Sequence, residues 1–289
     1  MENTTNKKIH PVKIIILTFF MLIIAMYFLF PLYWLAIAST KIKSQLFTTS
    51  AFWFTEPFLL LENLKTLSVF EEYSYWRWYL NSAIIASASA IIGTLVSALS
   101  GYALAKYTFR GSKLVFLAIL VSIMFPQAAL AIPLFIILKE VELINTYFGI
   151  ILPLIVNPFG IYYMTVFIRS TFPTELIDSG RVDGASDYKI FYRIALPIIS
   201  PGLVTLFLIA FIGAWNNFFL PLIVLNDSLL YPLTVGLSNW NLSQYGNKPI
   251  PMEPLLLLGS LLSILPMMIL FPLLKKYVIS GISMGSVKS

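Results

Sequence analysis

Cysteine is absent from this 289-residue chain, which excludes disulfides and thiolate metal sites. Histidine occurs once, at His10, so histidine-based metal centres and histidine-dependent catalytic triads are excluded as well. No G-x-x-x-x-G-K-[ST] phosphate loop is present, so the chain lacks the nucleotide-binding motif of P-loop ATPases. Charge is the other scarcity: 11% of residues are charged, against roughly 25% in a soluble globular domain. No charged residue falls in the middle of a long apolar run, where a proton relay, an ion pathway or a voltage sensor would need one.

Apolar residues fill the space. They make up 58% of the chain and give a mean hydropathy of +0.86, the composition of a protein that lives in a bilayer. A run of about 20 apolar residues crosses the hydrocarbon core. Six such runs are present, at 14–38, 79–105, 114–138, 147–168, 199–225 and 255–274. A β-barrel would instead need short alternating segments, so the expected fold is all-α, a polytopic membrane protein with six transmembrane helices. The first run follows Lys7, Lys8 and Lys13 as a secretory signal would. It is too long for a signal core and lacks a small-residue cleavage site after it, so it is expected to remain as a helix.

Lys and Arg in the loops set the orientation. With both termini inside, 13 basic residues fall in inner segments and 6 in outer ones. The loop from Lys106 to Lys113, with Arg110 between, is the clearest inner segment because it holds no acid. Both termini are therefore expected in the cytoplasm, and the protein in the cell membrane, in contact with lipid. The net charge of +6 is a topology signal on this reading, and nucleic-acid binding is not expected. One membrane domain over 14–279 is expected between short cytoplasmic tails at 1–13 and 280–289, with a polar inner insert at 170–198.

The largest outer loop, from Lys41 to Trp78, is rich in aromatics, among them Phe47, Phe52, Trp53, Phe54 and Phe58. These fit an interfacial belt or a partner-contact surface outside the membrane. In the second run Gly93, Ser97, Gly101 and Ala105 recur every four residues, a small-residue face that lets another helix backbone come close. Prolines interrupt several runs, including Pro126, Pro153 and Pro158, and broken helices suit a cavity-lining path. The runs also hold neutral polar and ring side chains: Gln127, Asn157, Tyr162, Tyr163, Trp215, Asn216 and Asn217. Amides and aromatic faces suit a pathway for neutral polyhydroxylated solutes, and they equally suit interhelical hydrogen bonding. Gln127, Asn157, Tyr163, Trp215, Asn216 and Asn217 are the path candidates.

The polar insert is the most distinctive segment. Thr174 can cap a helix whose first turn carries Glu175 and Asp178, acids well placed at the positive end of the dipole. Asp183-Gly184 reads as a turn. Ser186 can cap a second helix that presents Ile190, Phe191 and Ile194 and stops before Pro197. Small residues at Ser179, Gly180, Gly184 and Ala185 leave little bulk at the bend, a surface able to sit deep in a partner's groove.

The run Glu175-Leu-Ile-Asp-Ser-Gly-Arg-Val-Asp-Gly-Ala185, with Phe191-Tyr-Arg-Ile-Ala-Leu-Pro197, resembles the EAA loop of ABC importer permeases, in particular the maltose-type carbohydrate permeases. Supporting matches run along nearly the whole chain, among them Asn81-Ser82, Tyr102-Ala-Leu-Ala-Lys106, Asn145-Thr146, Trp215-Asn216 and Ser280-Gly281. The family's usual Glu-Ala-Ala is Asp178-Ser179-Gly180 here, which shortens the acid and adds a helix-weakening glycine.

The resemblance implies an ABC importer type I permease fold. It also implies a subunit that is not an enzyme, translocating a sugar or oligosaccharide by alternating access. The implied partners are a second homologous permease, two cytoplasmic ABC ATPase subunits that carry ATP and Mg, and an extracytoplasmic solute-binding protein. This chain would bind no cofactor and no metal. The resemblance implies that Glu175, Asp178, Ser179, Gly180, Asp183, Gly184 and Ala185 couple to the ATPase, with Phe191, Arg193 and Pro197 positioning the loop. The tail from Lys275 to Ser289 is a further ATPase contact on this reading. A polyol, a glycerol-phosphate compound or another organic solute is the alternative cargo, and a stand-alone secondary transporter the alternative class.

Overall fold

The computed structural model describes residues 11–71, 74–243 and 251–286. His10 and the ends of both tails lie outside the described residues. In chain order the helices are α1 (Pro11–Ala38), α2 (Lys43–Thr48), α3 (Leu60–Val69), α4 (Ser74–Lys106), α5 (Ser112–Met124), α6 (Gln127–Glu140), α7 (Tyr147–Ile155), α8 (Pro158–Thr171), α9 (Glu175–Val182), α10 (Asp187–Ile190), α11 (Leu196–Ile198), α12 (Ser200–Trp215), α13 (Phe219–Val224), α14 (Leu233–Ser243), α15 (Glu253–Leu262) and α16 (Leu265–Ser286). A π-helical turn joins α10 to α11, and no strand occurs among the described residues.

Four stretches are long and apolar enough to cross a membrane: Val12–Ala38, Ser74–Lys106, Tyr147–Thr171 and Glu253–Tyr277. Asp187–Ile198 and Ser200–Trp215 pass the same test as a pair bent by 78°. The remaining apolar runs are not single rods, and the breaks have local causes. The run 114–138 splits into α5 and α6 at Phe125-Pro126, where Phe125 has ψ 127° because a residue before proline is forced out of the helical region. Asn157 breaks the run between α7 and α8. Its side chain accepts from Gly160 N at 3.0 Å, and Pro158 follows as the first residue of α8, where a missing N–H costs nothing. Asn217 does the same after α12, its Oδ1 accepting from Leu220 N at 3.3 Å.

The chain divides into two compact units, 1–70 with 240–262 and 71–239 with 263–289. In the first, α15 packs on α1 and α3. The turns after α1 fold around Lys41, which is only 1% exposed. Asn63 fastens this turn by donating to the Ser39 and Lys41 carbonyls at 2.9 and 3.2 Å. Most of α1 stays exposed along its apolar side chains, as a helix meant for lipid or for another subunit would be.

In the second unit α4 is the central post, and α7, α8 and α12 pack around it. Its 33 residues make a rod of roughly 50 Å at 1.5 Å per residue. The small-residue face explains how close the neighbours come. A Cβ on Gly101 would stand 2.7 Å from Met164 Cβ and 2.9 Å from Thr165 N, and one on Gly93 3.2 Å from the Ile155 carbonyl. From the other side, a Cβ on Gly160 would stand 2.6 Å from Ser97 Oγ. The face therefore packs within this chain, against α7 and α8.

The Ser74 end of α4 is clamped to the segment after α13. Asn81 donates to the Leu229 and Tyr231 carbonyls at 2.8 and 2.9 Å and accepts from Tyr147 Oη at 2.7 Å. Ser82 Oγ accepts from Leu233 N at 2.8 Å, while Asn145 Oδ1 accepts from Asn226 N and Asp227 N. Thr146 caps α7 through Gly149 N. Asn81-Ser82 and Asn145-Thr146 thus hold loop backbone that has no helix to satisfy it.

Candidate functional site

The polar insert is a helix-turn-helix whose interior is continuous with the core around α4, α8 and α12. Ile177, Ile190 and Phe191 are buried, joined with Phe172 and Ala195. Gly180 belongs to this interior: a Cβ there would lie 2.9 Å from Ile190 Cγ1 and 3.1 Å from its Cδ1. The glycine that replaces the family's alanine thus makes room for Ile190 of the second helix. Gly184 has φ +74°, with open space around it, and the Ala185 N–H closes the turn onto the Gly180 carbonyl at 2.9 Å.

Two local expectations are corrected. Thr174 stands at the start of α9 but makes no side-chain cap; its backbone is already helical, and its Oγ1 instead accepts from Lys106 Nζ at 3.4 Å. The second helix does not stop before Pro197. A π-helical turn over Phe191–Ala195 carries it through, with Leu196 N bonding five residues back to Phe191 O. The wider turn accommodates a proline that would disrupt a regular α-helical ladder. Ser186 does cap α10, accepting from Lys189 N at 3.4 Å.

Glu175, Asp178, Ser179, Asp183 and Gly184 are exposed, Ala185 is half-buried, and Gly180 is buried. Sequence reasoning missed two apolar side chains that flank the bend, Val182 at 88% and Tyr188 at 78% exposure. Their signal was available as apolar residues interrupting a polar stretch. It also missed the Arg181–Asp187 ion pair, 3.2 Å across the turn, which holds the Arg181 guanidinium above its ordinary basicity through its hydrogen bond and charge.

The insert is joined to the rest of its unit by rings. Tyr102 of α4 packs on Phe191 at 5.1 Å between centroids and on Phe172 at 6.0 Å. Arg169 donates to the Leu104 carbonyl at 3.2 Å. Arg193 and Pro197 lie on the exposed side of the second helix.

A second feature is a cleft of about 320 Å³ between α4, the α7–α8 break and the end of α12, within the size range of small-solute sites (about 300–1,000 Å³). Asn157, Asn217 and Ser89 supply its polar groups, with Phe159, Ile209 and Gly213 among its apolar walls. Both amide oxygens are used at helix starts, which leaves the NH2 groups as donors. Ser89 Oγ is buried with no hydrogen-bond partner among the described residues. Sequence reasoning missed Ser89, one of several serines in an Ala-rich stretch where small size suggested packing alone.

The other path candidates lie elsewhere. Trp215 is buried, stacked on Phe211 at 6.0 Å and donating to the Ser263 carbonyl at 3.2 Å. Tyr163 stacks between Phe159 and Phe167. Asn216 donates to Ile212 O of its own helix at 3.0 Å. Tyr162 lies 6.0 Å from the Phe116 ring. Gln127 opens α6, and its side chain lies outside the described residues. The tail beyond Tyr277 is also without described side chains. No cluster of three His, Asp or Glu able to hold a metal occurs among the described residues.

These features meet known proteins over most of the chain. Residues 93–284 match the family described as the binding-protein-dependent transport system inner membrane component. The arabinooligosaccharides transport system permease protein AraQ of Halalkalibacterium halodurans is 35% identical over 98% of this chain and 99% of its own. The lactose transport system permease protein LacG of Rhizobium radiobacter is 32% identical, covering 90% of this chain and 91% of its own. The crystal structure of a bacterial ABC transporter involved in the import of the acidic polysaccharide alginate shares the fold. Its chain gives a TM-score of 0.81 at 22% identity, over 96% of this chain and 99% of that one. The helices thus form the ABC importer type I permease fold. The chain belongs to the binding-protein-dependent transport system inner membrane component family, as a multi-pass cell-membrane transport subunit rather than an enzyme.

Proposed function

We propose that this chain is one of two permease subunits of an ATP-driven importer for a sugar or oligosaccharide delivered by an extracytoplasmic binding protein. The observation that carries the reading is the end-to-end relationship to an arabinooligosaccharide permease, 35% identical over 98% of the chain. The neutral lining of the cleft agrees with it, since the Asn157 and Asn217 NH2 groups offer hydrogen bonds to hydroxyls and the lining offers no charge to a phosphate or carboxylate.

On this reading the chain makes six crossings with both termini in the cytoplasm, α5 with α6 and α12 with α13 each counting as one broken crossing. The membrane domain covers 14–279, flanked by the tails at 1–13 and 280–289, and the insert at 170–198 faces the cytoplasm. Glu175, Asp178, Ser179, Asp183, Gly184 and Ala185 form the surface that docks on an ATPase subunit. Gly180 keeps the two helices of the insert together beneath that surface. ATP and Mg are held by the partner subunits. Closure of the ATPase pair displaces the docked turn, and the displacement passes through Phe191 to Tyr102 on α4. Because Ile177, Ile190 and Phe191 are packed, the insert moves as one body instead of bending. The half-helices around the cleft then rock, exposing Ser89, Asn157 and Asn217 alternately to the two sides.

The test is purification of the chain from its native membrane in detergent, identification of what comes with it, and measurement of ATPase stimulation by arabino-, galacto- and malto-oligosaccharides with the binding protein present. Recovery of a second permease and an ATPase, with stimulation by one sugar class, is the expected result. A chain that purifies alone and moves solute in vesicles without ATP overturns the proposal.

A further inference from the structure

The loop after α1 carries a row of exposed rings that the transport reading does not use. Phe47, Phe52, Trp53, Phe54 and Phe58 are 80%, 49%, 66%, 49% and 55% exposed. The segment from Ser44 to Thr55 contains no charged residue at all. Of the two cations that precede it, Lys43 is neutralised by Glu253 at 2.6 Å, and Lys41 is withdrawn into the interior, its Nζ donating to Ser50 O at 2.5 Å and to Thr49 Oγ1 at 3.2 Å.

This loop turns back along α1 instead of projecting beyond it. The Phe52 ring packs on Phe30 at 5.2 Å, and Tyr33 Oη donates to the Phe52 carbonyl at 2.9 Å. Phe30 is eight residues before the end of α1 at Ala38, so Phe52 sits roughly 12 Å back along the helix at 1.5 Å per residue. Counted from Ile14, just past Lys13, a hydrocarbon core of about 30 Å takes up about 20 residues and ends near Tyr33. Phe52 therefore lies at the boundary between acyl chains and headgroups, the depth at which aromatic side chains are enriched.

The backbone is prepared for that depth. Carbonyls in an irregular loop are costly wherever water is scarce. Here the Ser50, Phe52 and Glu56 carbonyls are taken by Lys41, Tyr33 and Gln45 side chains. An aqueous protein partner would leave no reason for a charge-free tip at acyl depth.

We propose that residues 47–55 form an interfacial anchor, with Trp53 and Phe54 inserted into the headgroup layer at the C-terminal end of α1. The lipid-facing side of α1 continues into the anchor, so the partner is the bilayer itself. The anchor holds the external end of α1 at a fixed depth.

Because the chain has no cysteine of its own, Trp53→Cys, Phe54→Cys and Arg110→Cys each carry one nitroxide label at one place. The labelled chain, in its complete complex, is reconstituted in vesicles of zwitterionic and anionic phospholipid. Spin relaxation by oxygen, which concentrates in lipid, is compared with relaxation by a water-soluble nickel chelate. The expected ratio of oxygen to nickel accessibility exceeds one at 53 and 54 and falls below one at 110, in the basic loop. A ratio below one at 53 and 54 overturns the proposal by placing the tip in water. Exclusion of both probes overturns it by showing that a protein subunit covers the tip. Where a cysteine variant fails to assemble, the parent chain and Trp53→Phe are compared in brominated lipid. The proposal then requires that the quenched part of the emission be lost with Trp53, and equal quenching in the two overturns it.

Discussion

Replacing Gly180 by alanine restores the residue usual in the family and should nevertheless weaken the insert. Alanine favours a helix interior over glycine by about 1 kcal/mol. Against this, the new Cβ would fall 2.9 Å from Ile190 Cγ1, closer than real Cβ atoms approach, and 3.1 Å from Ile190 Cδ1, a tight contact. Ile190 is fully buried and packed in the same cluster as Ile177 and Phe191, so it has little room to withdraw. Overpacking of this kind costs about 1–3 kcal/mol, which leaves a net loss of about 1 kcal/mol and a roughly fivefold larger open population of the insert. Hydrogen exchange read by mass spectrometry across 176–190 measures this directly, because the Ala185 N–H that closes the turn bonds to the Gly180 carbonyl. Exchange there should quicken about fivefold in Gly180→Ala. In the double variant with Ile190→Ala, the two changes should cost less together than their sum by about 0.5–3 kcal/mol, the range for residues in contact. Exchange as slow as in the parent, or strict additivity with Ile190→Ala, would refute the argument that Gly180 answers to Ile190.

Gly184→Asp should fold and insert, since Asp tolerates a left-handed backbone and the space around the turn is open. It should nonetheless lose sugar-stimulated ATPase activity by placing a carboxylate on the docking face; normal coupling in vesicles would remove the turn from that face. Asn217→Leu should lower uptake, whereas Asn216→Leu, whose amide bonds within its own helix, should leave it near the parent rate; the reverse order would place the path elsewhere. Gly101→Leu should abolish recovery of folded protein by size-exclusion chromatography, because its Cβ would already meet backbone of α8 at 2.9 Å; a monodisperse variant would contradict the close approach. Arg181→Ala should leave the melting temperature of the complex near that of the parent, as both members of the pair are half-exposed; a clear drop would mean the pair carries more than a surface ion pair does.

Membrane residence, helical class, the small-residue face of α4 and the turn of the insert were all legible in the linear chain, because each depends on composition or on spacing within one element. Gly93, Ser97 and Gly101 mark a packing face whatever they pack against. Asp183-Gly184 marks a turn because only neighbouring backbone angles are involved. Which neighbour the face meets was not legible: Met164 and Ile155 lie more than 60 residues along the chain, and only folding brings their backbone to α4. The same holds for Gly180, whose small size reads as an open docking surface until Ile190 is seen lying across it. Asn157, Asn216 and Asn217 look alike as amides in apolar runs. The tertiary structure separates them, since two start helices at the rim of a cleft and one bonds to its own helix. Ser89 became visible only as a residue lining that cleft whose buried hydroxyl has no partner among the described residues, a property of three-dimensional surroundings that no residue carries in its own letter.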